Sequence, residues 1–95
     1  MEIAFAEKQL RDVCEHEAKA MKLYGSKAAE RLQRRLSDLR SAETLGDVVA
    51  GRPKRIDGEV RFQLGDEYVL TIQGDCEGED WKNSIRAKVL KISKL

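Results

Sequence analysis

Two short runs of alternating apolar residues do most to limit how this chain can fold. Val60, Phe62 and Leu64 alternate with Arg61 and Gln63; Tyr68, Leu70 and Ile72 alternate with Val69, Thr71 and Gln73. A period of two marks a strand with one buried face. Only Gly65, Asp66 and Glu67 lie between the runs, so they form a hairpin. A two-residue loop would set Tyr68, Leu70 and Ile72 on the side of Arg61 and Gln63. A three-residue loop pairs Leu64 with Tyr68, Phe62 with Leu70 and Val60 with Ile72, and puts all six apolar groups on one face. A slip of one residue moves a whole apolar set to the wrong side, so the buried face selects the three-residue loop. A further run, Ile85, Ala87 and Val89 alternating with Arg86 and Lys88, reads as a strand that residues 90–95 extend. The polar face of the sheet then displays Arg61, Gln63, Val69, Thr71, Arg86 and Lys88.

Upstream, the period changes. Ala18, Met21, Gly25, Ala28, Leu32, Leu36 and Leu39 step by three or four, the stripe of an amphipathic helix. Tyr24-Gly25-Ser26 is the natural break, with Gly25 ending one helix and Ser26 capping the next, which runs to about Arg40. Residues 2–6 read as a first strand, and Glu7–Val13 as a short helix. Ser41–Gly58, punctuated by Gly46, Gly51, Pro53 and Gly58, reads as irregular, with Leu45, Val48 and Val49 pinning it to the core. Gly74–Asp80, rich in acid, reads as a mobile surface loop. The expected architecture is α+β: an N-terminal strand and a helical hairpin packed on a small, mostly antiparallel sheet.

A chain of 95 residues with 41% hydrophobic and 37% charged residues suits one folded domain spanning 1–95. Its apolar runs are far short of the roughly 20 residues of a membrane helix, and no secretory signal is expected at the N-terminus. Two cysteines, at 14 and 76, suit reduced thiols in a cytoplasmic protein. The formal net charge is only +1, but it is unevenly laid out. Residues 41–80 hold 4 basic and 10 acidic groups, whereas residues 81–95 hold 5 basic and none acidic. A local cationic surface therefore remains open, because phosphate binding depends on where charge clusters.

Most familiar chemistries lack their residues. His16 is the only histidine and sits in a charged helical segment, where it reads as exposed. Cys14, His16 and Cys76 do not make a zinc set, and the acidic loop does not match a calcium loop, so no metal or other cofactor is expected. Gly51-Arg52-Pro53-Lys54-Arg55 is a basic cluster and not a P-loop. Arg31, Arg34, Arg35 and Arg40 read as a solvated helix face. What remains is a set of cations, Arg61, Arg86 and Lys88, on one sheet face, preceded by Arg52, Lys54 and Arg55. Such a set suits RNA cleavage by attack of a 2′-OH on the adjacent phosphorus, where charge builds on the phosphoryl oxygens and guanidinium forks can stabilise it.

The segments MEIAFAEKQLRDVC, LYGSKAAERLQRRLSDLRSAETL, GEVRFQLGDEYVLTI and DWKNSIRAKVLKI, in that order, resemble the RelE/ParE toxin superfamily, and within it the HigB-like plasmid-maintenance killer proteins. The resemblance implies a type II toxin that inhibits growth by cutting mRNA on the translating ribosome without metal. It implies a cognate antitoxin, usually with a helix-turn-helix, as partner. It places Lys88 where the family's last strand carries an arginine, and Lys54 where members carry a histidine or basic residue. This chain departs from the pattern in three places. Val69 follows Tyr68 where an arginine is common, RPKRIDGEV is shorter than usual, and Ser93-Lys94-Leu95 stands where relatives often carry Tyr or His. Arg61, standing where a small residue is usual, is expected to replace the lost guanidinium from the neighbouring strand. The catalytic set is therefore Arg61, Lys88 and Arg86, and the RNA-binding set Arg52, Lys54 and Arg55. A silent homologue that binds antitoxin or RNA, and a gyrase-type inhibitor, are the alternatives.

Overall fold

A computed structural model describes all 95 residues. The chain begins with strand β1 (Glu2–Phe5), followed by helices α1 (Lys8–Glu15) and α2 (Glu17–Ser41). A 3-10 turn at Leu45–Asp47 leads to β2 (Lys54–Ile56), β3 (Glu59–Leu64) and β4 (Tyr68–Gly74). A second 3-10 turn, Gly78–Asn83, precedes β5 (Arg86–Lys94). One five-stranded sheet has the order β1-β5-β4-β3-β2; β1 runs parallel to β5, and every other pair is antiparallel. The α+β layout expected from the sequence is the one observed.

The hairpin register is the one the buried face selects: Val60 opposite Ile72, Phe62 opposite Leu70, Leu64 opposite Tyr68. Their side chains meet Leu32, Leu36 and Leu39 of α2, all fully buried, in a single core that also takes Leu45 and Val89. Each such aliphatic or aromatic side chain gains roughly 1.5–3 kcal/mol from leaving water, which is what holds α2 to the sheet. The Met1 ammonium donates to the carbonyls of Leu39, Arg40 and Ala42 at 3.2, 2.8 and 2.7 Å, so a positive charge sits where α2 leaves its last carbonyls unpaired.

Gly25 breaks α2 at the expected place, with φ 85° and ψ 166°. The break re-phases the helix, and this corrects the predicted stripe. Ala28, Leu32, Leu36 and Leu39 are buried, but Ala18 and Met21 are exposed and Ala20 is buried in their stead. No atom lies within 4 Å of where a Gly25 Cβ would stand, so a substitution there meets only the backbone cost. Gly25→Ala should lower the urea midpoint by the equivalent of about 1–3 kcal/mol, the cost of holding a side chain in that region of φ/ψ. An unchanged midpoint would show that the helix closes over the break.

Two further expectations are revised. Residues 54–56 are not irregular: they form the edge strand β2, joined to β3 by a two-residue turn in which Asp57 and Gly58 both have positive φ, 52° and 81°. That is the turn whose twist matches a hairpin. Of the three residues expected to pin the connection, Leu45 and Val48 are buried, whereas Val49 is 78% exposed. The acidic stretch is ordered in part, its 3-10 turn laying Trp81 against the core. No helix is long and apolar enough to cross a membrane.

Candidate nucleic-acid interface

The sheet covers the core with one face and leaves the other without a helical layer. Strand alternation and the observed registers assign the outer face. Across the middle of the sheet, Lys54, Arg61, Thr71 and Lys91 stand in one cross-strand row, from β2 to β5. Towards one end lie Gln73 and Lys88, then Arg86 opposite Glu2. Towards the other lie Gln63, Val69 and Ser93. Glu59 shares the face, two residues before Arg61 on β3.

Lys91 reaches this face because of an irregularity. Ile72 pairs with Val89 but Thr71 pairs with Lys91, so Leu90 is an extra, unpaired residue in β5. Such a bulge shifts the alternation by one and turns Lys91 outward, while Ile92 packs on the core side.

At the centre of the row two buried polar atoms lack partners: Arg61 Nε and Thr71 Oγ1. They belong to residues directly opposite each other on β3 and β4. Buried polar groups in folded proteins are almost always paired, and an orphan donor beside an orphan hydroxyl marks a place where something else bonds. The nearest carboxylate to Arg61 is that of Glu59, 3.8 Å from Nη2, too long for a hydrogen bond. The Arg61 side chain is 36% exposed, so its guanidinium edge reaches solvent while its Nε is covered.

The other expected site residues divide. Lys88 is exposed on the same face, between Gln73 of β4 and Ala4 of β1. Arg86 is on the face too, but its Nε is 3.3 Å from Glu2 and so part of its charge is matched. Lys54 joins the row. Arg55 does not: it pairs with Val60 and belongs to the opposite side of the edge strand. Arg52, with a positive φ of 49°, opens onto a separate cleft formed with α2. Arg35, expected to be solvated, is only 8% exposed, because the Gly51 backbone packs against its guanidinium. Reading the sequence alone missed Lys91 and Glu59 as members of the face, and it placed Thr71 there without giving it a role. The adjacent apolar pair Val89-Leu90 was the one sign of the bulge that places Lys91.

No group of three or more His, Cys, Asp or Glu side chains converges to hold a metal ion. His16 is exposed at the α1–α2 junction, its Nδ1 2.9 Å from the Asp12 carbonyl. Cys14 is buried, and desolvation pushes its thiol up to about 11 against the pull of Arg40, with Glu15 adding slightly to the rise. A raised thiol keeps its proton in the folded state after the unfolded chain has lost it. Stability should therefore fall as pH rises from about 9 to about 11, by on the order of 2–3 kcal/mol. Native alkylation with iodoacetamide should label Cys76 alone, and a Cys14→Ala protein should show a flatter alkaline limb in urea titrations. Rapid labelling of Cys14 in the folded protein would contradict this burial.

Comparison with known proteins gives no relative to lean on: no family model, no curated protein and no solved structure matches the chain.

Proposed function

We propose that the outer sheet face binds the phosphodiester backbone of RNA, and that the protein is a toxin of a type II toxin–antitoxin pair that cuts mRNA on the translating ribosome without metal. One observation carries the binding part of this reading. Arg61 Nε and Thr71 Oγ1, both buried and unpaired, face each other at the centre of a row flanked by Lys54 and Lys91. With no partner inside the protein, the Arg61 guanidinium is free to present its solvent-reaching edge to a phosphoryl oxygen, and the two flanking ammonium groups match the charge.

Cleavage follows if the 2′-OH beside such a phosphate attacks phosphorus. The new bond is 2′-O–P, the bond that breaks is P–5′-O, and the products are a 2′,3′-cyclic phosphate and a 5′-OH. Arg61 stabilises the charge that builds on the non-bridging oxygens. Glu59, two residues away on the same face, is the carboxylate placed to accept the 2′-OH proton, and Lys88 or Lys91 is placed to donate one to the leaving oxygen. The family resemblance supplies the ribosome and a helix-turn-helix antitoxin as partners and the cytoplasm as the setting.

The outer face carries neither His nor Tyr, and this favours a second reading, a homologue that binds RNA or antitoxin without cutting. Primer extension on mRNA from a translating cell-free system separates the two. New 5′ ends that need ribosomes establish the nuclease. Intact mRNA with tight RNA or antitoxin binding establishes the silent homologue, and intact mRNA with arrested gyrase establishes a gyrase inhibitor.

A further inference from the structure

Next to the outer face, the cleft between α2 and the β3–β4 hairpin is lined by polar residues alone. Arg31, Arg34 and Arg35 of α2 face Arg52, Gln63 and Asp66 across it, and Gly51 and Gly65 complete its walls. Four guanidinium groups thus meet one carboxylate in a space of about 380 Å³. Two of the four are engaged within α2: Arg34 Nη2 donates to Glu30 at 2.9 Å, and Arg35 Nη1 donates to Asp38 at 2.7 Å. Arg31 and Arg52 have no carboxylate within ion-pair distance.

Arg35 is the informative residue. It is only 8% exposed, and its Nε is buried with no acceptor. A Cβ on Gly51 would stand 2.7 Å from that Nε and 3.2 Å from Nη2, so only glycine lets the loop close on this edge of the guanidinium. The next residue, Arg52, holds an unusual positive φ of 49°. The Gly51 loop covers that edge, so Arg35 sets a fixed positive charge in the cleft wall. The exposed, unpaired Arg31 and Arg52 supply the donors that an incoming oxyanion meets. The wholly polar lining offers no seat for the apolar side chains with which a peptide would anchor. Gln63 joins the cleft to the outer face: it is two residues, roughly 7 Å, along β3 from Arg61 and on the same side.

We infer that this arginine cleft is a second phosphate subsite, holding a backbone phosphate of the single-stranded RNA whose neighbouring phosphates lie on the outer face. The inference rests on the RNA reading of that face, and its test keeps the two apart. Arginine Nε–H resonances are followed by nuclear magnetic resonance while inorganic phosphate is added. The expected result is saturable shifts at Arg35, Arg31 and Arg52 that Arg52→Gln abolishes. Shifts that rise linearly, or that survive in Arg52→Gln, mean no built site and overturn the inference.

Binding of a labelled single-stranded RNA is then measured by fluorescence anisotropy over a range of salt. Arg31→Gln/Arg52→Gln changes two exposed residues and should leave the fold intact. It should weaken binding about tenfold at low salt and reduce the slope of log K against log salt by about 0.7 for each phosphate that the variant no longer neutralises. An unchanged slope overturns the inference, as does displacement of phosphate by polyglutamate with RNA binding untouched, which would assign the cleft to an acidic peptide. Loss of RNA binding in the double variant with full binding and cleavage in Arg61→Ala would leave the cleft standing and sink the outer-face reading. The reverse pattern would sink the cleft alone.

Discussion

An Arg61→Ala protein should fold as the parent does and produce no new mRNA 5′ ends in a translating extract, a loss of at least about 100-fold, the effect of removing one preorganised donor from a developing oxyanion. The side chain is partly exposed, and its buried Nε has no partner, so the truncation strands no acceptor. Its one ion-pair neighbour is Glu59 at 3.8 Å, and an exposed pair of that length contributes little to stability. The melting temperature should move by no more than a few degrees. Arg61→Lys is the informative companion. It keeps the charge and loses the two-pronged fork, so it should recover only part of the activity and should bind RNA more nearly like the parent. Lys88→Ala and Lys91→Ala should each weaken cleavage by less. Full cleavage by folded Arg61→Ala would remove Arg61 from the site and leave the missing guanidinium unreplaced.

The second large effect is on stability. Gly74→Ala should cost about 3 kcal/mol and lower the melting temperature on the order of 15 °C. Gly74 ends β4, and its α-carbon faces the fully buried Ser84. An added Cβ would come 2.7 Å from the Ser84 Cβ, so that Ser84 must shift, and 3.2 Å from Leu45 Cδ2, which must give by a few tenths of an ångström. Ser84 is an anchor. Its Oγ accepts the Cys76 N–H at 3.0 Å, and its carbonyl accepts the Leu45 N–H at 2.8 Å. Displacing it loosens the connection to β5 and the 3-10 turn at Leu45–Asp47 together. Thermal melts by circular dichroism read the effect. A shift under a few degrees would mean that the segment slides without loss. Gly58→Ala, where nothing lies within 4 Å, is the control, with only the turn's backbone cost expected.

Much of the frame was legible because its signals are local. Alternation in β3 and β4 gave the strands, and the single apolar face gave their register. Gly25 gave the helix break, but not its geometric consequence. A break sets a new rotational phase, so Ala18 and Met21, in step with Leu32 on paper, point to water. Edge strand β2 escaped because Lys54, Arg55 and Ile56 are all exposed, and a strand with no buried face has no hydrophobic period to read. Asp57-Gly58 was the available turn signal. The site was half legible. Arg61, Arg86 and Lys88 were placed on one face by parity alone, whereas Lys54 read only as part of a basic stretch leading into the sheet and joined the face through β2. Lys91 needed the bulge at Leu90, and Glu59 and Thr71 carry no sign in sequence that sets them apart from ordinary strand residues. The burial of Arg35 could not be foreseen, since it depends on Gly51 closing over α2 from a loop 16 positions away in the chain.

The place of β5 has a consequence in time. Among the strands it is the last to leave the ribosome, yet it lies inside the sheet, between β1 and β4, and its partner β1 is the first of them made. Pairing residues 2–5 with residues 86–89 joins distant parts of the chain, the kind of pairing that forms slowly. Until β5 has been made and has paired with β4, the row that ends in Lys91 has no fourth member and Lys88 has no sheet to stand on. A nascent chain therefore carries its hairpin and helices past its own ribosome with the cationic surface unassembled, and the surface comes into being only as synthesis of the domain ends.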